Sequence, residues 1–178
     1  MTRTAALIVF VTAAFSLQAA AQAPQVLRGE AITDSALVEA LTPVPAPLVT
    51  RSIGRDAAPA PARKSAKAAL LITFETNATA LTAEAKRELD IVGRALNTNR
   101  LVDFKFLIEG HADPRGSTER NQRLSEGRAD AVRRYLVQNQ NVNVDRLTAV
   151  GKGDREPLNP KVPAAPENRR VTFVNMSQ

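Results

Sequence analysis

Between residues 68 and 175, apolar and polar positions follow two periods, one typical of strands and one typical of helices. Phe104, Phe106 and Ile108 alternate with polar neighbours, as in a strand with one buried face. Other short apolar runs end at glycine or charged residues and are typical of buried strands. The segments that predict strands are 69–74, 102–110, 145–153 and 168–175.

Two longer segments carry apolar residues at helical spacing. In 81–97 these residues lie three or four positions apart, Thr82 stands where an N-cap is favoured, and Glu84 falls in the first turn. A second helix is predicted over 117–138. The order strand–helix–strand–helix–strand–strand predicts an α/β fold class, a two-layer α+β sandwich with helices packed on a mixed sheet.

The second helix carries a charged residue on its predicted inner face. Leu124, Arg128, Val132 and Tyr135 recur at spacings of four, four and three, which predicts a stripe that faces the core. Arginine is rarely buried without a partner. Asp113 lies in the turn before this helix, so two explanations are open. The two charges form a structural salt bridge, or both face a ligand pocket.

The N-terminal part of the chain has a different composition. A short positive start, an apolar run and an A-x-A pattern predict a secretory signal peptide over 1–21, and an uncleaved anchor is the alternative. Residues 22–67 are rich in alanine and proline and predict a flexible tether. The folded domain is therefore expected over 68–178, with no transmembrane segment after signal cleavage.

Composition limits the covalent modifications and the partners that can be expected for this chain. The chain contains no cysteine and has a net charge of +6. An exported chain without cysteine forms no disulfides and has no cysteine to carry a lipid, so its stability must come from its core. The positive charge is typical of a protein in anionic surroundings, and a basic surface that serves only solubility is the alternative. Nucleic acid is not expected as a partner, because the chain has no Trp and 1 Tyr on which bases could stack.

The sequence offers little for catalysis. Glu109, His111 and Asp113 stand at every second position, which is compatible with an acid–base cluster. No partnered Ser or Cys nucleophile and no second convergent carboxylate accompany them, so no catalytic residue is predicted. With a single histidine and no cysteine, no metal site and no cofactor are predicted either.

Five motifs follow one another along the chain: FETN at 74–77, GHADPRG at 110–116, NQRLSEGRA at 121–129, RLTAVGKG at 146–153 and NRRV at 168–171. They resemble the motifs of the OmpA-like peptidoglycan-binding domain, which outer membrane protein A, peptidoglycan-associated lipoprotein and MotB share. The resemblance covers residues 68–178. Arg120 stands where many members have Tyr, and Gly127 stands where a helix former is usual.

The resemblance implies a function and a site. In the family, the aspartate of the turn and the arginine of the helix bind meso-diaminopimelate in the peptidoglycan stem peptide, and they correspond to Asp113 and Arg128. A carboxylate suits the ligand's ammonium, and a guanidinium suits its carboxylate. This implies non-catalytic, non-covalent binding of peptidoglycan in the Gram-negative periplasm or cell envelope, with outer-membrane association as a further expectation. Family positions that line or shape the pocket correspond to Thr76, Asn77, His111, Ala112, Asn121 and Leu124.

Two other functions remain open at this point. An envelope adaptor would dock a partner complex through residues 22–66 while the domain holds the wall. Its contact would be the short helix predicted over 33–41, capped by Thr33 or Asp34. A cell-wall-modifying enzyme is the alternative from a different class, and it would need a catalytic constellation that the sequence does not reveal.

Overall fold

Helices and strands alternate along residues 25–43, 66–72, 74 and 78–176, which are the residues that the computed structural model describes. The predicted signal peptide at 1–21 lies outside them. The strands are β1 (Gln25–Leu27), β2 (Lys67–Leu70), β3 (Phe106–Gly110), β4 (Leu147–Gly151) and β5 (Val171–Asn175). The helices are α1 (Asp34–Leu41), α2 (Ala83–Leu96) and α3 (Thr118–Gln140).

The five strands form one mixed sheet in the order β1-β2-β5-β3-β4. β1 pairs with β2 and β3 with β4 in parallel, whereas β5 is antiparallel to both of its neighbours. The last strand of the chain therefore joins the two parallel pairs. This arrangement confirms the predicted fold class and the predicted order of elements from β2 to β5.

The core lies between the sheet and the three helices. α1 packs on β2 and β5, α3 packs on β3 and β4, and α2 contacts both other helices. Phe106, Ile108 and Phe173 are fully buried beneath them. At the start of α2, the Thr82 hydroxyl accepts a hydrogen bond from the backbone N–H of Ala85 at 3.1 Å, which confirms Thr82 as the N-cap.

The inner face of α3 differs from the predicted stripe. Val132 is buried as expected, but Leu124, Arg128 and Tyr135 are only half-buried and flank the buried face. The prediction was therefore wrong by about one position around the helix. The buried residues are Asn121, Ser125, Ala129, Val132 and Leu136.

Close packing of α3 on the sheet explains this rotation. A Cβ on Gly110 of β3 would stand 2.1 Å from the carbonyl oxygen of Ser125, and one on Gly151 of β4 would stand 2.6 Å from the backbone nitrogen of Glu126. At such an approach only small side chains fit between helix and sheet, so Ser125 and Ala129 take the central positions. The longer Leu124 and Arg128 are displaced to the rim.

Residues 25–43 correct the prediction of a flexible tether over 22–67. β1 pairs with β2 from Gln25↔Ala68 to Leu27↔Leu70, and α1 begins at the predicted cap, where the backbone N–H of Ala36 donates to the Thr33 hydroxyl at 3.2 Å. The physical reason is apolar spacing within this segment. Its buried side chains, which join the common core, are Leu27, Ile32, Leu37, Val38 and Leu41. The proline-rich remainder, 44–65, lies outside the described residues.

Among the described residues, no helix combines the length and apolar character needed to cross a bilayer.

Candidate binding site

The turn between β3 and α3 holds Asp113 at the carboxyl end of β3. Its backbone is tied to both flanking chain segments: His111 N–H donates to the carbonyl of Arg170 at 2.9 Å, and Ala112 N–H donates to the carbonyl of Gly153 at 2.8 Å. The Asn121 side chain donates to the carbonyl of Asp113 at 3.0 Å. The end of a strand and the start of a helix thus position Asp113, a buried residue that is 6% exposed.

Two arginines hold the Asp113 carboxylate, and neither of them is Arg128. Arg115 donates its Nε to Oδ1 at 3.1 Å and its Nη2 to Oδ2 at 2.7 Å, while its backbone N–H donates to Oδ1 at 3.2 Å. Arg169, from the approach to β5, donates its Nη1 to Oδ2 at 2.9 Å. These bonds, led by that from the Arg115 side chain, lower the pKa of Asp113 from 3.8 to about 2. The direct Asp113–Arg128 salt bridge left open by the sequence is therefore not formed.

Arg128 lies on the rim of α3 and contacts Phe74 and Ala78. Its Nε donates to the carbonyl of Ala78 at 3.2 Å, and its guanidinium carbon stands 4.9 Å from the centroid of the Phe74 ring. Burial lowers the pKa of Arg128, Arg169 lowers it further, and Asp113 raises it. Arg128 thus lies within electrostatic range of Asp113, although Arg115 and Arg169 hold that carboxylate.

Gly127 explains why α3 lacks a helix-forming side chain just before Arg128. A Cβ at this position would stand 2.8 Å from the methyl group of Thr79. The absence of that atom lets the chain at 78–79 approach the helix, which brings the carbonyl of Ala78 to Arg128. The departure from the family pattern therefore has a packing reason.

Asn121 and Leu124 border the same region in different ways. Asn121 is 3% exposed, and its amide bridges the carbonyl of Asp113 and the carboxylate of Asp154, the latter at 3.1 Å. It braces the Asp113 turn rather than presenting its amide to solvent. Leu124 is half-buried on α3 one turn before Arg128, so it contributes apolar surface at the rim.

His111 and Ala112 are buried in the turn, at 2% and 5% exposure. Among the described residues, neither ring nitrogen of His111 has a hydrogen-bond partner, and its Nε2 lies 4.0 Å from the carboxylate of Glu109. Burial, together with the positive charges of Arg170 and nearby lysines, lowers its pKa from 6.5 to about 3. The imidazole is therefore neutral near pH 7. Thr76 and Asn77 lie outside the described residues.

The structure adds side chains that were absent from the predicted site. Arg115, Arg169 and Phe74 contact Asp113 or Arg128 directly. Each belongs to a motif that was noted, yet only Arg115 lies close enough in sequence to Asp113 for a local turn to suggest the contact. Arg169 is 56 residues away from Asp113, so no local signal could have found it.

The site combines three guanidinium groups with the carboxylates of Asp113 and Asp154. Such a set suits a small ligand that carries both charged signs and has at least one carboxylate for a guanidinium to bind bidentately. Within the part of the chain that the structure describes, no group of three His, Asp or Glu side chains is arranged to hold a metal ion.

Comparison with known proteins assigns the family. The sequence pattern of the OmpA family matches residues 73–170, which is more than half of the chain. The chain belongs to the OmpA family. The match includes the turn of Asp113, the helix of Arg128 and the arginines that precede β5, so the family region contains the whole charged cluster.

Curated relatives match part of their own length. The chain is 41% identical over 87 residues to the peptidoglycan-associated lipoprotein of Pseudomonas putida, covering 48% of this chain and 49% of that protein. It is 32% identical over 124 residues to outer membrane protein A of Yersinia pseudotuberculosis, covering 70% of this chain and 31% of that protein. The chain thus spans about half the length of the former and less of the latter.

Solved structures agree with the fold. The peptidoglycan-associated lipoprotein of Burkholderia pseudomallei superposes with a TM-score of 0.52 at 27% identity, over 59% of this chain and 88% of that one. A periplasmic domain of MotB from Helicobacter pylori superposes with a TM-score of 0.54 at 19% identity, over 64% of this chain and 83% of that one. The MotB similarity concerns the fold alone.

Proposed function

We propose that this protein binds peptidoglycan non-covalently in the bacterial cell envelope and catalyses no reaction. Membership of the OmpA family supports this, together with relatives that are named peptidoglycan-associated lipoproteins. Those relatives and outer membrane protein A also support a periplasmic location with association to the outer membrane.

The proposed ligand group is meso-diaminopimelate of the stem peptide. Its distal end carries an ammonium and a carboxylate on one carbon, so Asp113 would accept from the ammonium and Arg128 would donate to the carboxylate. The observation that carries the proposal is the placement of Arg128. It is half-buried on Phe74 and within electrostatic range of Asp113, yet it donates to a single carbonyl among the described residues.

The other proposed site residues would shape the pocket. Asn121, His111 and Ala112 brace the Asp113 turn from within, and Leu124 supplies apolar surface at the rim. Thr76 and Asn77 are proposed as lining residues on the basis of the FETN motif, next to Phe74 and Ala78, which contact Arg128.

Co-sedimentation with purified sacculi tests the proposal. The full chain should pellet with diaminopimelate-type sacculi and bind less to lysine-type sacculi, and no soluble muropeptide should appear. Released fragments would indicate a cell-wall-modifying enzyme instead. Equal binding to both wall types, and equal binding by Arg128→Ala, would reject diaminopimelate as the recognised group.

The structure does not favour the adaptor alternative, in which the helix over 33–41 docks a partner complex. The helix expected to dock a partner is α1, and its apolar side chains Leu37, Val38 and Leu41 are buried in the core of this domain. A partner that bound this face would have to unpack it first. We therefore do not adopt docking through α1 as the function.

A further inference from the structure

The Asp113 carboxylate is already saturated with donors. It accepts four hydrogen bonds, from the backbone and side chain of Arg115 and from the side chain of Arg169. A carboxylate has about four lone-pair positions. A ligand ammonium can therefore reach Asp113 only if one of these donors leaves.

The geometry identifies which donor can leave. The backbone N–H of Arg115 is part of the turn and stays with it. The Arg169 guanidinium also donates to the carbonyl of Ala164 at 3.3 Å, which ties it to the loop before β5. The Arg115 side chain is 66% exposed, and Asp113 is its only hydrogen-bond partner among the described residues. Asp113 is buried, but the Arg115 guanidinium lies in solvent, so it can leave the carboxylate for water without unpacking any other contact.

We propose that Arg115 is a displaceable counter-ion that selects zwitterionic ligands over simple amines. In the free protein its guanidinium occupies Asp113, and the ammonium of the ligand must displace it. This inference rests on the proposed function of the site, and it adds a residue that determines specificity.

Charge balance explains the selection. A ligand with an ammonium alone exchanges one cation for another at Asp113, so little is gained. A ligand that also brings a carboxylate offers an acceptor to Arg128 and to the released Arg115, so the displaced donors are paired again. Competition by Arg115 therefore lowers the affinity for a ligand that has only an ammonium more than the affinity for a ligand that also has a carboxylate.

Titration of Arg115→Gln with two peptides tests the proposal. The probes are L-alanyl-γ-D-glutamyl-meso-diaminopimelate and the same tripeptide with L-lysine in third place, which lacks the distal carboxylate. The variant should bind the lysine peptide at least three-fold more tightly than the parent does, and its preference for the diaminopimelate peptide should fall. A smaller gain for the lysine peptide, or an unchanged preference, overturns the proposal.

Arg123→Gln is the matched control, because Arg123 is an exposed residue of α3 and its loss changes the net charge equally. It should leave both affinities within two-fold of the parent. An equal gain in this control would mean that overall charge, rather than occupation of Asp113, causes the effect, and would also overturn the proposal.

A measurement without ligand separates this proposal from the proposed function. The carboxyl carbon of Asp113 can be followed by NMR as pH is lowered. Because the Arg115 side chain is the main cause of the low pKa of about 2, Arg115→Gln should raise that pKa towards 3.8. An unchanged pKa would remove Arg115 as the counter-ion. Failure of the parent to bind either peptide would instead reject the proposed function, whatever the titration shows.

Discussion

Two half-buried arginines lie near opposite ends of β3, and their surroundings differ. Arg146 precedes β4, and its Nε and Nη2 donate to the carbonyls of Phe104, Leu96 and Leu101 at 2.8–3.0 Å. Arg128, near the carboxyl end of β3, donates only to the carbonyl of Ala78 within the described part of the chain. Burial lowers the pKa of both guanidinium groups, and each lies near an aromatic ring.

The difference separates a structural arginine from a candidate binding arginine. The Arg146 side chain joins the end of α2, the following turn and the segment just before β3, so it stabilises the fold. Burial desolvates Arg128 as well, but most of its donors have no partner among the described residues, and it lies within electrostatic range of Asp113. A buried charge whose donors are not used by the protein is a better candidate for ligand binding than burial alone would indicate.

The end of the sheet near Arg146 also contacts the N-terminal segment, residues 25–43. The side-chain amide of Asn175, at the end of β5, donates to the carbonyl of Leu41 at 2.9 Å, and Leu41 itself is fully buried. The two ends of the sheet should therefore respond to substitution in opposite ways, one through stability and the other through binding.

The largest effect is expected for Leu41→Ala. Truncation of a fully buried leucine should lower the free energy of unfolding by roughly 2–5 kcal/mol, measured by urea denaturation. Glu39→Ala on the exposed side of α1 is the control and should change it by less than about 0.5 kcal/mol. If Leu41→Ala is as mild as the control, residues 25–43 are detachable and the original tether prediction stands.

Arg128→Ala should act on binding. Loss of its contact with the ligand carboxylate should weaken affinity for the diaminopimelate tripeptide by about 2 kcal/mol or more, which is roughly thirty-fold. Its thermal midpoint should stay close to that of the parent, because a single carbonyl loses its donor. Arg128→Lys keeps the charge without the planar fork and should recover only part of the affinity. A large loss of stability with unchanged affinity would place Arg128 in the same class as Arg146.

Arg146→Met should show the reverse pattern. The substitution keeps much of the apolar stem but removes the Arg146 donors from the carbonyls of Leu96 and Phe104, and it leaves the Leu101 carbonyl with the backbone N–H of Phe104 alone. The free energy of unfolding should therefore fall by about 1–3 kcal/mol. Affinity of the folded protein for the tripeptide should not change. A weakened affinity at unchanged stability would contradict the division between the two ends.

The smallest effect concerns two buried titratable groups, His111 beside the site and Glu88 on α2. His111 has its pKa lowered to about 3, so the unfolded chain binds the proton first and stability falls as pH decreases from 6.5. Burial, mainly, raises the pKa of Glu88 from 4.5 to about 7, so the folded chain keeps its proton longer and stability falls as pH increases from 4.5.

Between pH 4.5 and 6.5 these two effects oppose each other. The parent should show a shallow dependence of stability on pH. Glu88→Gln should become more stable as pH rises, and His111→Gln less stable, each with a slope of up to about 1.4 kcal/mol per pH unit. Urea denaturation at half-unit steps of pH measures these slopes. Parallel slopes in the two variants would show that neither group is buried as described.

Local sequence patterns predicted most of the secondary structure and the region of the candidate site. The periods of 2 and 3.6 residues predicted the order of elements from β2 to β5, and hydroxyl residues marked the starts of α1 and α2 at Thr33 and Thr82. The motifs around Asp113 and Arg128 placed both residues in one region. These features depend on neighbours within a few positions, which is why a single sequence was sufficient to predict them.

Only the tertiary structure determined which side chains of these elements are buried and which of them contact one another. The close approach of Gly110 to Ser125 rotated α3 and moved Arg128 from the core to its rim. The antiparallel insertion of β5 brought Arg169 to Asp113, and the pairing of β1 with β2 drew residues 25–43 into the core. Each outcome depends on distances between segments far apart in the chain, and periodicity within one segment carries no information about them.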